Sequence, residues 1–147
     1  KPINVRTVLD NSLKLTERQT SEANIKIQTF LDSEIDEIFV DPDRINQVFL
    51  NLYLNAMESM KNGGSLNVWL LKNQEKDGIK IRVQDTGAGI SEDDLTHIFD
   101  PYFTTKASGT GLGLAIAHNI IEAHDGEIKV DSRLGRGTTV TISLPYA

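Results

Sequence analysis

The sequence contains no cysteine among its 147 residues. Disulfides, thiolate zinc sites and cysteine nucleophiles are therefore excluded, and a reducing compartment fits. No stretch approaches the roughly 20 apolar residues that span a bilayer, and the first residues lack the apolar run of a signal peptide. Basic residues are also in the minority, and the net charge of −6 opposes binding to a nucleic-acid backbone. We therefore expect a cytoplasmic domain that binds no nucleic acid.

Hydrophobic residues make up 39% of the chain and charged residues 24%, which suits one domain with its own core over residues 1–147. A first helix is predicted over residues 5–23 by apolar residues near helical spacing, namely Val5, Val8, Leu9, Leu13 and Leu15. Pro42 and Asp43 predict the start of a second helix, which runs to Lys61 before Asn62-Gly63-Gly64. A third helix is predicted over residues 112–124.

Alternating apolar residues predict strands over residues 25–30, 66–71, 79–83, 127–130 and 139–144, and a short apolar run predicts another over 38–40. Asp77-Gly78 is typical of the turn in a hairpin. The order of elements predicts an α+β fold, a two-layer α/β sandwich. Its mixed, mostly antiparallel sheet carries helices on one face.

The second predicted helix carries a polar stripe opposite its apolar side, formed by Gln47, Asn51, Asn55 and Glu58. A solvated helix face is one interpretation. Asparagine is a poor helix former, however, and its amide oxygen suits a Mg²⁺ ion that also binds the phosphates of a nucleotide. On this second interpretation Asn55 is the metal ligand and Asn51 supports it.

Asp85 follows the core-facing residues Ile79, Ile81 and Val83 at the same parity, so its carboxylate should point inward. A buried carboxylate needs a donor, and the exocyclic amine of adenine is a candidate. Gly87 and Gly89 would let a base approach the backbone. The alternative is an ordinary turn in which Asp85 accepts backbone hydrogen bonds. Asp-Thr-Gly-Ala also matches the active-site signature of retroviral-type aspartic proteases.

A second glycine cluster lies at the start of the third predicted helix, and it consists of Gly109, Thr110, Gly111, Leu112, Gly113 and Leu114. Glycine exposes the N–H groups of a helix start, where phosphates bind, although a flexible loop is an equal alternative. Just upstream, Phe99 and Phe103 could anchor a movable flap, and Lys106 could meet a terminal phosphate. Otherwise the two aromatics belong to the core and Lys106 is a surface charge.

These elements, in this order, resemble the histidine kinases of the GHKL ATPase superfamily, the Bergerat fold. Residues 51–56 look like the N box, 85–89 the first glycine box, 99–103 the F box and 109–114 the second glycine box. Residues 135–138 are similar to a further glycine element whose threonine, here Thr138, usually lies near adenine. The short stretch between the glycine boxes looks most like the nitrogen-regulation type of sensor kinase.

The resemblance implies binding of ATP and Mg²⁺, with Asn51 and Lys106 as candidate catalytic residues. The other implied nucleotide-binding residues are Asn55, Glu58, Asp85, Gly87, Gly89, Ile90, Tyr102, Thr104, Thr105, Gly109, Thr110, Gly111, Leu112, Gly113, Leu114 and Thr138. Two positions depart from the family pattern. Glu58 stands where many members have a basic residue and Ser59 where an aromatic often follows, so Lys106 takes more of the predicted phosphate contact.

Hydrolytic relatives carry a glutamate at the position of Asn51, and an amide cannot act as that base near neutral pH. The resemblance therefore implies transfer of the γ-phosphoryl group to a histidine on a separate dimerising hairpin, and relay from there to a response regulator. His97, His118 and His124 are interpreted as structural. We expect the isolated domain to be a monomer and the full-length kinase a homodimer, as an inner-membrane sensor with a cytoplasmic catalytic domain. An anti-sigma serine kinase of the same fold and a nucleotide-binding module without transfer remain alternatives.

Overall fold

The computed structural model describes residues 2–32, 34–35, 37–101 and 113–146. Within these residues, five strands form one sheet in the order β1-β2-β3-β5-β4. β1 and β2 are parallel and the other neighbouring strands are antiparallel, which confirms the predicted mixed, mostly antiparallel sheet. The elements in chain order are α1 (Val5–Glu22), β1 (Ile25–Leu31), α2 (Pro42–Ser59), β2 (Gly64–Asn73), β3 (Gly78–Asp85), α3 (Glu92–Leu95), α4 (Gly113–Ala123), β4 (Glu127–Arg133) and β5 (Gly137–Pro145).

The core lies between one face of this sheet and the long helices, so the predicted α+β sandwich is confirmed. Every second residue of the central strands is buried there, as the two-residue period of a strand requires. From the sheet these are Leu66, Val68, Leu70, Ile79, Ile81, Val83, Val140, Ile142 and Leu144. The predicted apolar side of α2 meets them, and Tyr53 joins it.

Helix α1 packs with hydroxyl groups as well as apolar side chains. Ser12, Thr16 and Thr20 are buried, and each hydroxyl donates to a carbonyl three residues earlier in its own helix. Leu15, which belonged to the predicted apolar pattern, is 66% exposed. At about 100° per residue, Leu15 turns away from the side that holds Leu13, so this part of the prediction is wrong.

Helix α2 begins where the sequence predicts. The side chain of Asp41 accepts from the backbone N–H groups of Asp43 at 2.9 Å and Arg44 at 3.3 Å, and Pro42 opens the first turn. The helix ends at Ser59 rather than Lys61, because the chain turns at Met60 and then passes through positive φ at Gly63.

The strand predicted over residues 38–40 is wrong. Ile38 forms only an isolated antiparallel bridge with Ile3. Burial alternates around the exposed Phe39 as it would in a strand, which explains the misleading pattern. In the antiparallel register of this bridge Phe39 would face Pro2, and no further bridge forms there within the described residues.

The short helix α3 was not predicted, although Ser91 caps it and three acidic residues follow in its first turn. Helix α4 matches the predicted third helix to within one residue at each end. None of the helices in the described part of the chain is both long and apolar enough to cross a membrane.

Candidate functional site

Asp85 ends β3 with its side chain on the core face, and it is only 7% exposed. The inward orientation predicted from the alternation of β3 is therefore confirmed. Its Oδ1 accepts from the backbone N–H of Gly87 at 2.9 Å and of Thr138 at 3.3 Å. The alternative interpretation, in which Asp85 accepts backbone hydrogen bonds in a turn, is thus correct for Oδ1. A contact between Asp85 and adenine remains a prediction.

Glycines bring three segments of backbone close around Asp85. A Cβ on Gly87 would collide with Ser59, whose carbonyl accepts from Ala88 N at 3.1 Å. A Cβ on Gly137 would collide with the carbonyl of Asp85 itself. The protein's own packing therefore requires these glycines, a reason that the sequence analysis missed when it linked Gly87 to the approach of a base.

Gly89 is required for two reasons. Its φ is +77°, a region that favours glycine, and a Cβ there would collide with the carbonyl of Arg133. The neighbouring residue Ile90 donates its N–H to the hydroxyl of Ser132 at 2.7 Å. The turn over residues 85–89 therefore packs against the end of α2 on one side and the end of β4 on the other.

The N-box asparagines meet the start of α4. Asn51 is half-buried and donates from Nδ2 to the carbonyl of Gly113 at 3.3 Å. A Cβ on Gly113 would lie 3.7 Å from Nδ2 of Asn55, in ordinary contact. The two asparagines that the sequence predicts to act together therefore share one neighbour, the first residue of α4. Glu58 is exposed, and Gln47 lines a separate groove with Arg44 and Asn119.

One side of α2 thus joins the start of α4 to the turn after Asp85. Asn51, Asn55 and Ser59 are one helical turn apart and lie on the same side of α2, and they run from the start of α4 to the turn after Asp85. Eight residues of helix cover about 12 Å at 1.5 Å per residue. This arrangement separates a buried carboxylate at one end from a helix N-terminus and two carboxamides at the other.

Several predicted site residues lie outside the described residues, and their assignments stay predictions. These are Tyr102, Thr104, Thr105, Lys106, Gly109, Thr110, Gly111 and Leu112. Leu114 is half-buried and packs against the core from the first turn of α4. Phe99 also packs against the core, and its ring stacks on His118 with centroids 4.8 Å apart, which agrees with the core interpretation of this aromatic.

The three histidines have structural contacts, as the sequence predicts. His124 bonds the carbonyl of Ile120 through Nδ1 at 2.7 Å and accepts from Asp41 N through Nε2 at 3.2 Å. It thereby joins the end of α4 to the start of α2. His118 lies 3.1 Å from a carboxylate oxygen of Glu122, and His97 makes a contact of 3.0 Å with Asp100.

Ser132 is the site residue that the sequence analysis missed. It contacts Ile90, Gly137 and Thr138 through a single hydroxyl. The available signal was its parity, since it follows Ile128 and Val130 on the core-facing side of β4. A polar residue at an inward position beside a glycine turn is the same pattern that identified Asp85.

Comparison with known proteins agrees with this geometry. The profile of the family described as "Histidine kinase-, DNA gyrase B-, and HSP90-like ATPase" matches residues 40–147. The chain is 44% identical to the sensor histidine kinase ZraS of Escherichia coli (strain K12), over 97% of this chain and 30% of that protein. It is 38% identical to sporulation kinase E of Bacillus subtilis (strain 168), over 96% and 19%.

Solved structures give the same result. The catalytic domain of histidine kinase ThkA has a TM-score of 0.87 at 31% identity, covering 99% of this chain and 94% of that one. Full-length ShkA in complex with AMPPNP has a TM-score of 0.87 at 26% identity, covering 100% and 31%.

The present chain spans between 19% and 30% of the length of the two curated relatives. The aspartic protease interpretation is wrong, because the profile match includes Asp85 within a different family. The nitrogen-regulation subtype stays a prediction. The chain belongs to the ATPase family of histidine kinases, DNA gyrase B and HSP90, within which it groups with the catalytic domains of sensor histidine kinases.

Proposed function

We propose that this chain is the ATP-binding half of a two-component sensor histidine kinase. It binds Mg-ATP and donates the γ-phosphoryl group to a histidine on a separate dimerising hairpin of the same kinase, for relay to an aspartate of a response regulator. The observation that carries the proposal is the buried carboxylate of Asp85, which begins a polar stripe that ends at the start of α4.

At the Asp85 end the site recognises the base. Two backbone N–H groups fix the carboxylate in place, and a fixed, buried acceptor favours a ligand with a donor at the matching position. The exocyclic amine of adenine is such a donor. The similar kinase ShkA has been solved with AMPPNP, which supports an adenine nucleotide as the ligand of this fold.

At the other end the site receives the phosphates. The N-terminus of a helix attracts anions, and α4 starts beside Asn51 and Asn55. The side chains of Asn51 and Asn55 are suitable ligands for Mg²⁺, because neutral amide oxygens suit a hard cation that takes its remaining ligands from water and phosphate. Within the described residues no cluster of three or more His, Cys, Asp or Glu offers an all-protein metal cage. Asn55, supported by Asn51, would hold the ion, which would neutralise phosphate charge.

The chemistry of transfer follows from what these residues can do. Asn51 carries an amide where a hydrolytic enzyme needs a base, so water near the terminal phosphate is not activated from this position. Catalysis then consists of positioning and charge neutralisation, and the nucleophile comes from outside. His97, His118 and His124 have the structural contacts described above, which supports an accepting histidine elsewhere in the full-length protein.

The relatives also guide the proposal for the whole protein. Sensor histidine kinases such as ZraS are several times longer than this chain, and we infer a similar context of sensor, hairpin and catalytic domain. On this proposal the full-length kinase is a homodimer anchored in the inner membrane, while the isolated domain is a cytoplasmic monomer.

Calorimetric titration with ATP and Mg²⁺ tests the proposal. Asp85→Asn should weaken binding by about 10- to 150-fold, the equivalent of losing a hydrogen bond to a charged group. Asp131→Asn is the matched control, since Asp131 is exposed on β4 and the charge change is identical. Equal affinities of wild type and Asp85→Asn would remove Asp85 from base recognition and with it the main support for the proposal.

A further inference from the structure

A patch of apolar and basic side chains lies on the face of the sheet opposite the core. Its members stand at the positions that alternate with buried residues along β1, β2 and β3. Phe30 pairs with Trp69 across β1 and β2, and Trp69 pairs with Arg82 across β2 and β3. Two residues further along, Leu71 pairs with Lys80. These five residues are here called the outer patch.

The two aromatic rings of the outer patch pack on each other and stay partly open to solvent. Phe30 is 49% exposed, and its ring stacks on that of Trp69 with centroids 5.2 Å apart and an interplanar angle of 15°. Leu71 is half-buried on the same face. An apolar side chain of a partner can therefore pack against this surface and leave water itself.

The charge beside the rings is positive, although the chain as a whole carries −6. Arg82 is exposed. Its nearest neighbours on this face, along β3 and across to β2 and β5, are Lys80, Gln84, Trp69 and Thr141. None of these neighbours is a carboxylate, and within the described residues no carboxylate forms an ion pair with Arg82. Arg82 thus presents an accessible cation next to an apolar surface.

The extent of the outer patch restricts what can cover it. Two strand spacings separate β1 from β3, so the outermost Cα positions are about 10 Å apart across the strands and about 7 Å apart along them. A second folded copy of the chain would need an interface of roughly 800 Å² per partner, which exceeds such an area several-fold. A symmetric dimer would also bring two positive patches together. A short segment of a partner protein fits the patch better.

Acidic residues around the outer patch oppose a flat anionic surface such as a bilayer. Asp32 and Glu34 follow the end of β1. Glu75, in the turn between β2 and β3, lies 4.0 Å from Lys80. A bilayer would draw these carboxylates towards its own negative charge, whereas a short segment lies between them.

We propose that the outer patch binds a short acidic segment of a partner protein, in which a large apolar side chain stands next to carboxylates. The apolar side chain packs on the stacked rings and on Leu71. A carboxylate one strand spacing away, about 5 Å, pairs with Arg82. This surface is separate from the candidate nucleotide site, because Asp85 and the helices lie on the other face of the sheet. The inference therefore does not depend on the proposed function.

A peptide library tests the chemistry of the partner. Phage that display random dodecapeptides are selected on the wild-type domain and, in parallel, on Arg82→Glu. Peptides enriched on wild type should combine a large apolar residue with a net negative charge, and Arg82→Glu should not enrich them. The inference is overturned if nothing is enriched on wild type, if the enriched peptides are not acidic, or if both proteins enrich the same ones.

The affinity of an enriched peptide is then measured through Trp69, the only tryptophan in the sequence. Its emission should shift to shorter wavelength and saturate. Arg82→Glu exchanges an attraction for a repulsion and Phe30→Ser removes apolar contact, so each should weaken binding about tenfold. Lys14→Glu is the matched control, because Lys14 is exposed on α1 and the charge change is identical. Equal affinities of Arg82→Glu and Lys14→Glu would contradict the role of Arg82.

Two measurements address the other occupants. In sedimentation the wild-type domain should remain a monomer, and a dimer that Phe30→Ser dissociates would assign the patch to a second copy. Vesicles of phosphatidylglycerol should leave the emission of Trp69 unchanged, and a saturable shift would assign the patch to a membrane. Arg82→Glu should bind Mg-ATP as wild type does, and a parallel loss of nucleotide affinity would contradict the separation of the two surfaces.

Discussion

The turn after Asp85 makes a sharp prediction, because Gly87 has no room for a side chain. The carbonyl oxygen of Ser59 lies 2.5 Å from the position of a Cβ on Gly87, and the Oγ of Ser59 is closer still. The φ of Gly87 lies outside the left-handed region, so Gly87→Ala acts through this collision alone. The turn must move away from the end of α2, and the hydrogen bond from Ala88 N to Ser59 O is lost.

Overpacking of this kind costs about 1–3 kcal/mol and the lost hydrogen bond about 1 kcal/mol. A net loss of about 2 kcal/mol corresponds to a fall of about 4–8 °C in melting temperature for a domain near this size. The displaced turn also removes the N–H that orients Asp85, so affinity for Mg-ATP should fall about tenfold. Circular dichroism melting and calorimetry below the melting temperature measure the two effects.

Gly126→Ala is the matched control for this experiment. Its Cβ would also meet a carbonyl oxygen at 2.5 Å, that of Ser143, but at the opposite ends of α4 and β4 from the site. It should lower the melting temperature and leave nucleotide affinity unchanged. Adding Ser59→Ala to Gly87→Ala should give little recovery, because the collision with the main chain remains. Wild-type affinity in Gly87→Ala would refute the link between this turn and the base site.

Two further predictions concern α2. Asn55→Asp adds a negative charge beside the proposed phosphate site, so binding of ATP should acquire a different Mg²⁺ dependence and the full-length kinase should fail in phosphotransfer. Tyr53 should make stability fall at alkaline pH. Burial raises the pKa of its phenol above the ordinary value of 10.0, although its hydrogen bond with Ser12 acts in the other direction. The neutral phenol thus stabilises the fold fully below pH 10.0, and this contribution is lost as the pH rises further.

Each of these predictions has its own control. Asn62→Asp adds the same charge at an exposed position after α2 and should leave metal dependence as in wild type. A fully active Asn55→Asp kinase would contradict the ligand assignment. For Tyr53, urea unfolding between about pH 8 and about pH 11 should show a steeper loss of free energy in wild type than in Tyr53→Phe. Parallel curves would show that this phenol does not titrate differently in the folded state.

The sequence predicts those features that depend on a regular period. Alternation along β3 fixed the inward direction of Asp85, and helical spacing gave the buried side of α2. The strand predicted at Ile38 failed because alternation describes burial and says nothing about a partner strand, and Ile38 forms only an isolated bridge. The sequence analysis also missed the buried hydroxyls of α1, because an apolar pattern does not include polar residues. Each of these hydroxyls can be buried because it donates to a carbonyl of its own helix.

The candidate site also has a part that the sequence predicts and a part that it does not. Motif spacing identified Asp85 and the asparagines, which the fold brings to opposite ends of one helix face. The contact partners of the glycines and the hydroxyl of Ser132 could not be predicted, because they depend on how α2, β4 and β5 meet around the turn. Such contacts join residues far apart in sequence, and local pattern carries no information about them.

The most direct test of the account is a crystal structure of this chain with Mg²⁺ and a non-hydrolysable ATP analogue. It should show the exocyclic amine of adenine on the carboxylate of Asp85, the phosphates at the start of α4 and the amide oxygen of Asn55 on the metal. A nucleotide bound elsewhere, or a crevice between Asp85 and Asn55 filled by the protein's own side chains, would contradict the assignment of this site to ATP.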